Sequence, residues 1–362
     1  MTEDILYDHN RDLKLVLKVS SNMCNIDCKY CFEKMKHMRD AFITEQQLEN
    51  ILKKIKNTVV ITFHGGEPLL IGKQKMNALL NIVNLYKNKI KEVKIQTNGT
   101  LFDDEYAELF FKKYKDLNIE VAISLDGTYE MNKLRVDYKG NNTFDKVIDA
   151  YKILDKWGQK AGMLSVISKH SIKYIEDYAD LIMQIKNLSF VKINPLFNIE
   201  NNRLTPDSIS PSEFSKFIIR FGMIYIERKI YKKIAIEPIL SMIQNINGKD
   251  SKYCNYNKHK CFEFLSIYPN ELIGPCDCFS INDFSIDKNS YFLEDSISMN
   301  ILSNKFLPIK KLLDKCEKCD IFEFCVGGCL SQRYYFRNNE VLSKEFCDSK
   351  KMLFEFAKQF KI

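Results

Sequence analysis

The chain has 362 residues, of which 45 % are hydrophobic, and it carries a formal net charge of +7. The hydrophobic fraction supports a sizeable core and argues against global disorder, and the length predicts two domains or one barrel with an appendage. The lysines are spread along the whole chain, which favours a solvated surface over a groove for nucleic acid or an acidic peptide.

Cysteine usage indicates a metal protein of a reducing compartment. Three cysteines lie between positions 24 and 31, nine lie between 254 and 347, and positions 32–253 contain none. Residues 1–4 are acidic with no apolar segment behind them, and no run of about 18 apolar residues occurs, so we expect neither a signal peptide nor a membrane span. Cysteines in such a chain serve metals rather than disulfides, which predicts a cytoplasmic protein with metal sites on either side of the cysteine-free stretch.

Six apolar, β-rich segments alternate with helical patterns in the first two thirds of the chain. The predicted strands are residues 13–19, 59–63, 92–96, 120–125, 163–167 and 190–193. The predicted helices are residues 44–56, 76–86, 103–114, 143–157 and 175–185, followed by one that begins after Ser210. Two helix starts carry capping signals: Thr44 with Gln47, and Ser210 with Pro211 and Glu213.

Strands that alternate with helices predict parallel β/α units, and six repeats are too few for a complete eight-unit barrel. We therefore predict an α/β fold, a partial (β/α)6 TIM-like barrel with a cysteine-rich C-terminal extension. The predicted domains are residues 1–235 for the barrel and 236–362 for the extension. Ligands of such barrels bind just after the carboxyl ends of the strands.

Cys24, Cys28 and Cys31 form a C-x3-C-x2-C run after the first strand. Three thiolates this close can hold three irons of a four-iron cluster and leave the fourth iron open to a ligand. A zinc site or scattered core thiols are the alternatives. Structural zinc normally uses four ligands in two pairs, and no fourth ligand lies close in the sequence, so the spacing favours an open iron–sulfur site.

This run, with the aromatic Tyr30 before its last cysteine, resembles the signature of the radical S-adenosylmethionine (radical SAM) enzymes. The resemblance implies a [4Fe-4S] cluster whose open iron binds S-adenosylmethionine, and reductive cleavage of that molecule to a 5′-deoxyadenosyl radical. The known core of that family is a partial (β/α)6 barrel, in agreement with the count of repeats.

His64-Gly65-Gly66-Glu67-Pro68 follows the second strand and resembles the GGEP motif of the family, which binds the amino group of S-adenosylmethionine. Two glycines let a backbone approach a ligand closely, and the glutamate can accept from an ammonium. A Gly-Gly pair alone is usually a turn, but its place after the cysteine run favours a binding role. We keep His64 out of the predicted site, because packing or a local hydrogen bond is its commoner role.

Polar residues also follow the third and fourth strands. By the same resemblance Thr97 and Asn98, and then Ser124 and Asp126, face S-adenosylmethionine, although Asn-Gly and Asp-Gly are also common turn formers. Arg135 occupies the place of a family arginine near S-adenosylmethionine, with a solvated surface arginine as the alternative.

The last third resembles the SPASM extension of peptide- and protein-modifying radical SAM enzymes, which holds two auxiliary [4Fe-4S] clusters. Its cysteines are Cys254, Cys261, Cys276, Cys278, Cys316, Cys319, Cys325, Cys329 and Cys347. By position, the first cluster is predicted on Cys254, Cys261, Cys276 and Cys329. The second is predicted on Cys316, Cys319, Cys325 and Cys347. Zinc is the alternative metal for sites of four sulfurs.

Two residues of the extension, Cys278 and Glu271, do not fit the SPASM pattern of the family. Cys278 is left over, and we interpret it as a bystander, with replacement of Cys276 or contact with substrate as alternatives. The family usually has a glycine where this chain has Glu271.

Asp277 follows a predicted ligand directly and is either the base that removes a substrate proton, as in anaerobic sulfatase-maturating enzymes, or a surface residue.

We therefore predict an enzyme that oxidises a peptide or protein side chain. The preferred reaction is a thioether or carbon–carbon crosslink in a ribosomally made peptide, favoured by Glu271, Cys278 and His64, where sulfatase maturases often have glutamine. The alternative is formylglycine formation in a sulfatase, favoured by Asp277 and the compact N-terminus. A multi-cluster electron carrier and a zinc-stabilised binding module are alternatives of other classes.

The resemblance also implies partners. We expect a peptide or protein substrate and an electron donor of the flavodoxin or ferredoxin type. Few residues precede the barrel, so a separate leader-peptide-binding protein or direct recognition is expected.

Overall fold

The structure, a computed structural model, describes residues 7–36, 40–269, 272–286 and 303–361. Residues 1–4, on which the expectation of no signal peptide rests, and Glu271 lie outside the described residues. In the part that is described, none of the helices combines the length and apolar character needed to cross a bilayer.

A nine-stranded sheet forms the centre of the molecule, with the strand order β11-β10-β1-β2-β3-β4-β5-β6-β9. The strands are β1 (Leu13–Lys18), β2 (Val59–His64), β3 (Ile90–Thr97), β4 (Ile119–Ser124), β5 (Ala161–Ile167), β6 (Leu188–Pro195), β7 (Ile199–Glu200), β8 (Arg203–Leu204), β9 (Ala235–Glu237), β10 (Phe264–Ile267) and β11 (Ile273–Gly274). β1 to β6 pair in parallel with their neighbours, as the alternating pattern predicts. The short pair β7 and β8 lies outside this sheet.

The described helices connect these strands and build the extension. They are α1 (Glu45–Lys54), α2 (Lys73–Leu85), α3 (Asp104–Glu108), α4 (Phe144–Lys156), α5 (Ile175–Gln184), α6 (Pro211–Glu227), α7 (Ile239–Ile246), α8 (Ile281–Phe284), α9 (Leu307–Lys310), α10 (Phe322–Cys325), α11 (Leu330–Phe336) and α12 (Glu340–Lys358). The capping boxes predicted at Thr44 and at Ser210 are both present.

The predicted partial α/β barrel is confirmed, with one local difference in the helix that follows β3. The periodicity predicts one helix over residues 103–114, but α3 ends at Glu108 and a wider π-helical turn, Leu109–Lys113, replaces its second half. In this turn Phe110 is fully buried, and the hydroxyl of Tyr114 bonds to Asn77 on α2. The wider turn therefore packs against the neighbouring helix. The periodicity of the sequence cannot predict such a contact between two helices.

The extension is continuous with the barrel at two places. β10 pairs in parallel with the free side of β1, so that Lys14 lies opposite Phe264. On the other side of the molecule, α12 packs against α6 and α7. A Cβ on Gly222 of α6 would lie 2.7 Å from the ring of Phe356 on α12, so this close contact requires a glycine.

Candidate active site

The cysteine run forms a loop at the carboxyl end of β1, held against the turn that follows β2. Gly66 N donates to Ser21 O at 2.8 Å, and Glu67 N donates to Met23 O at 2.9 Å. A Cβ on Gly66 would lie 1.9 Å from Met23 O, so only glycine fits there. The Gly65-Gly66 turn, which the sequence predicts to lie close to a ligand, thus lies close to the backbone of the cysteine loop.

Cys24, Cys28 and Cys31 share this loop and are all partly buried. Burial, together with the neighbouring sulfurs, raises the pKa of Cys24 to about 11. Burial likewise raises the pKa of Cys28, against the lowering effect of Arg135. Thiols that are protonated when alone release their protons on binding a metal, so these shifts describe the metal-free loop.

Glu67 joins the Gly-Gly turn to the end of β3. Its carboxylate accepts from Thr97 Oγ1 and from Asn98 N, both at 2.7 Å, and from Leu69 N at 3.0 Å. The side chain is wholly buried, and burial raises its pKa against these donors, which lower it. Three internal donors therefore occupy the carboxylate, which fixes the two strand ends relative to each other.

Asn98 extends the connection to the cysteine loop. Its Nδ2 lies 3.5 Å from Cys24 Sγ and donates to Asn25 Oδ1 at 2.9 Å. Pro68 begins a one-turn 3-10 helix, and Ser124, the last residue of β4, is half-buried. Among the predicted strand-end residues, Glu67 and Asn98 therefore bond directly to the cysteine loop and to each other.

Tyr30 bridges two residues that the sequence assigns to the site. Its hydroxyl donates to Asp126 Oδ2 at 2.6 Å and accepts from Arg135 Nη1 at 3.0 Å. Asp126 and Arg135 are buried, and Arg135 Nε has no hydrogen-bond partner among the described residues. The buried position excludes the alternative of a solvated surface arginine, and the free Nε is a donor for an anionic group.

A buried ion network that sequence reasoning missed lies beside the loop. The ammonium of Lys18, the last residue of β1, lies 2.5 Å from Glu33 Oε1, 2.7 Å from Asp277 Oδ2 and 3.0 Å from His64 Nδ1. Lys36 Nζ bonds to Glu33 at 2.8 Å and to the carbonyl oxygen of Asp277 at 2.7 Å. The signal in the sequence was a lysine that closes an apolar strand just before the cysteine run.

The network sets the charges at Asp277. Burial alone would raise the pKa of Asp277 and lower that of Lys18, but their mutual attraction outweighs burial and shifts each pKa in the opposite direction. Burial and Lys18 lower the pKa of His64 to about 4. At neutral pH Lys18 is therefore an ammonium, Asp277 a carboxylate and His64 a neutral imidazole. His64, kept out of the predicted site, lies 3.7 Å from the carboxylate.

The thiols of the extension fall into two groups. Cys261 interacts electrostatically with Cys254, Cys329 and Cys278, and Cys276 interacts with Cys261 and Cys278. A hydrogen bond between Cys276 and Cys278 raises the pKa of Cys276 and lowers that of Cys278. The leftover Cys278 thus lies within the first predicted ligand group.

The second group is separate and contains the other four predicted ligands. Burial raises the pKa of Cys316, and Cys325, Cys347 and Cys319 add to that shift. The ligand sets of two auxiliary clusters, which the family resemblance implies, stay a prediction.

Closely spaced groups of candidate metal ligands are few among the described residues. Four thiolates around one zinc ion, with bonds of about 2.3 Å, lie about 4 Å from one another. Over the described ranges, only two groups of three or more ligand atoms lie within 4.8 Å of one another: Cys276 with Asp277 and Cys278, and Glu33 with His64 and Asp277. The Lys18 ammonium already takes the cation position of the second group.

Comparisons with known proteins extend this description. The family model of the radical SAM superfamily matches residues 19–182. The chain is 25 % identical over 367 residues to a cysteine-type anaerobic sulfatase-maturating enzyme of Clostridium novyi (strain NT), with 95 % of each chain covered. It is 30 % identical over 306 residues to an uncharacterised protein of Methanocaldococcus jannaschii, covering 81 % of this chain and 96 % of that one.

One solved structure is similar to this chain over both the barrel and the extension. Native anSMEcpe with bound AdoMet and the Cp18Cys peptide is 25 % identical and superposes with a TM-score of 0.79, covering 96 % of this chain and 97 % of that one. The similarity therefore runs through the barrel and the cysteine-rich extension.

Proposed function

The chain belongs to the radical SAM superfamily, and from this we propose that it oxidises a side chain of a peptide or protein substrate. When bound, a [4Fe-4S] cluster on Cys24, Cys28 and Cys31 together with S-adenosylmethionine supplies a 5′-deoxyadenosyl radical that takes a hydrogen atom from the substrate. Membership of an enzyme superfamily argues against a non-catalytic electron carrier.

The residues around the loop fit that pair of cofactors. Arg135 offers its free, buried Nε to the carboxylate of S-adenosylmethionine, and Tyr30 and Asp126 fix the guanidinium. The Gly65-Gly66 turn, Pro68, Thr97, Asn98 and Ser124 lie at the same strand ends, and Glu67 holds the turn in place. We assign these residues to binding and positioning of S-adenosylmethionine.

The extension supplies two further sites. We propose one auxiliary [4Fe-4S] cluster on Cys254, Cys261, Cys276 and Cys329, and a second on Cys316, Cys319, Cys325 and Cys347. The division of these thiols into two groups supports the assignment. With the cluster of the barrel, the proposed total is three.

Asp277 carries the proposal of a side-chain oxidation. Its carboxylate lies where the cysteine loop, the Gly-Gly turn and the first auxiliary thiol group meet, and 14 % of its side-chain surface is exposed. Oxidation of a substrate radical releases a proton, and a carboxylate beside the auxiliary thiols is placed to take it. Because Lys18 keeps the pKa of Asp277 low, proton uptake requires a weaker contact with Lys18, which a substrate group bonded to Lys18 would provide.

Crosslinking of a ribosomally made peptide is the reaction that we favour. His64 and Cys278, two positions at which the chain departs from the sulfatase-maturase pattern, both lie against Asp277. The chain therefore differs from those enzymes beside Asp277, the residue that the substrate must reach. Formylglycine formation is the second candidate, supported by the similarity to sulfatase maturases along nearly the whole chain.

One co-expression experiment separates these reactions. The enzyme is produced with short peptides whose reading frames are found by searching beside its gene and, separately, with a sulfatase peptide that contains cysteine. Loss of two hydrogens without a reactive aldehyde supports a crosslink, whereas exchange of sulfur for oxygen with aldehyde reactivity supports formylglycine. Asp277→Asn is the matched variant: we expect about 100-fold less product or lower still, with continued cleavage of S-adenosylmethionine. Asp283→Asn, an exposed aspartate of the extension, is the control. Unchanged product from Asp277→Asn would contradict the assigned base.

The remaining parts of the proposal concern partners and location. We propose a flavodoxin- or ferredoxin-type electron donor, a separate leader-peptide-binding protein and a reducing, cytoplasmic compartment, in which twelve free cysteines remain available to metals. We also propose that residues 1–235 and 236–362 act as the radical-generating and the electron-accepting domain.

A further inference from the structure

Three buried cations lie among the thiols of the extension. Lys260, Arg333 and Lys350 are 1 %, 6 % and 7 % exposed. Within the described ranges, no carboxylate forms an ion pair with any of them. Burial lowers the pKa of Lys260 and of Lys350, and the groups that oppose this shift are all thiols. Buried charges are normally paired, because an unpaired charge in a protein interior is costly.

Lys260 is fixed by the backbone beside the first thiol group. Its Nζ donates to the carbonyl oxygens of Gly328 at 3.0 Å and Asn255 at 3.4 Å, which are the residues next to Cys329 and Cys254. Its electrostatic interactions also reach Cys325, a ligand predicted for the second cluster. The ammonium therefore lies between the two groups.

Arg333 and Lys350 lie on the side of the second group. Arg333 donates from Nε to the carbonyl oxygen of Gly327, and its Nη1 lies 3.8 Å from Cys347 Sγ. Its guanidinium is 5.0 Å and Lys350 Nζ is 5.2 Å from the ring centroid of Phe346. Both side chains are thus held against one aromatic ring beside the predicted ligands.

We propose that Lys260, Arg333 and Lys350 form a cationic layer that neutralises the two auxiliary clusters and raises their reduction potentials. The inference rests on the proposed function, which places those clusters there. Four thiolates around a [4Fe-4S] core leave a net charge of about −2, and reduction adds one more negative charge. A fixed cation nearby favours the more negative state, and more strongly in a dry interior. The layer makes the clusters better electron acceptors.

The test measures potentials on the full-length holoenzyme. Wild type, Lys260→Met and Lys260→Arg are reconstituted anaerobically, iron is counted, and the midpoint potential of each cluster is followed by electron paramagnetic resonance. The signal of the cluster in the barrel is identified by its change on addition of S-adenosylmethionine. Lys258→Met is the matched control, because that lysine is 61 % exposed and its nearest carboxylate, on Asp250, is 4.0 Å away.

We expect both auxiliary potentials to shift downward in Lys260→Met and to return towards wild type in Lys260→Arg, with no shift in Lys258→Met. Loss of auxiliary iron in Lys260→Met that arginine restores would also support the layer. Full iron with unchanged potentials would overturn it. If neither Lys260 variant holds iron, Lys350→Met decides by the same criteria. Wild type with only about four irons per chain would instead refute the cluster assignment on which the inference rests.

Discussion

The ammonium of Lys18 lies 2.7 Å from a carboxylate oxygen of Asp277, although 259 positions of sequence separate the two residues. Lys18 ends the first strand of the barrel, and Asp277 belongs to the cysteine-rich extension. Their contact is a buried ion pair that joins the barrel to the extension, next to the loop of the first three cysteines.

Replacement of Lys18 by methionine should destabilise the protein strongly. Lys18→Met leaves Glu33 and Asp277 as buried carboxylates without their shared partner, which costs about 3 kcal/mol or more. Chemical denaturation of the metal-free protein measures the loss. Lys14→Met, on the same strand, removes a more exposed ion pair with Glu263 and should cost less than about 1 kcal/mol.

A second variant tests the cause of that loss. Lys18→Met combined with Asp277→Asn removes one of the stranded charges and should recover part of the stability. Equal losses for Lys18→Met and Lys14→Met, or no recovery in the double variant, would show that the network contributes little.

His64 should make the protein less stable in mild acid. Its pKa is lowered to about 4 in the folded chain, against about 6.5 when unfolded. Stability from the neutral ring is complete above the unfolded value and is lost as the pH falls towards the folded value. At pH 5.5 the loss amounts to about 1.4 kcal/mol. His64→Gln lacks this term, so its denaturation midpoint should change less than that of wild type between pH 7.5 and 5.5. Parallel pH curves for the two proteins would contradict the shift.

Arg135 should govern affinity for S-adenosylmethionine. Arg135→Lys keeps the positive charge but removes the planar donor set, so we expect binding to weaken about tenfold with the iron content unchanged. Equilibrium dialysis against the reconstituted protein measures the affinity. Lys133→Ala changes an exposed residue two positions earlier and serves as the control. Equal affinity of wild type and Arg135→Lys would place S-adenosylmethionine away from this guanidinium.

The cysteine groups should load iron independently. About twelve irons per chain are expected in wild type, and about eight in the variant with alanine at Cys24, Cys28 and Cys31. Cys316→Ala should abolish product while cleavage of S-adenosylmethionine continues. About four irons in wild type, or zinc in their place, would remove the basis for the auxiliary clusters.

The sequence was a good guide wherever short-range signals decide the structure. The capping boxes at Thr44 and Ser210 and all six strands of the barrel lie where local pattern predicts them. These features depend on neighbouring residues. The ligand sets of the auxiliary clusters, which the family resemblance implies, stay a prediction.

Contacts that join distant residues were not predictable in the same way. No local pattern reveals that Lys18 meets Asp277, or that β10 pairs with β1. Tyr30 was visible as the aromatic residue before Cys31, but its bridge between Asp126 and Arg135 depends on the strand ends meeting in space. The π-helical turn after α3 likewise follows from tertiary packing.

The pairing of β1 with β10 also has a consequence for synthesis of the chain. β1 leaves the ribosome well before its second neighbour, residues 264–267, which emerges only after the rest of the barrel. Until then β1 has an open edge, of the kind that invites pairing with other chains. Lys18, beside the cysteine loop, likewise lacks its partner Asp277 until that residue has been synthesised. The nascent protein therefore completes the surroundings of the cysteine loop late, after the rest of the barrel has been made.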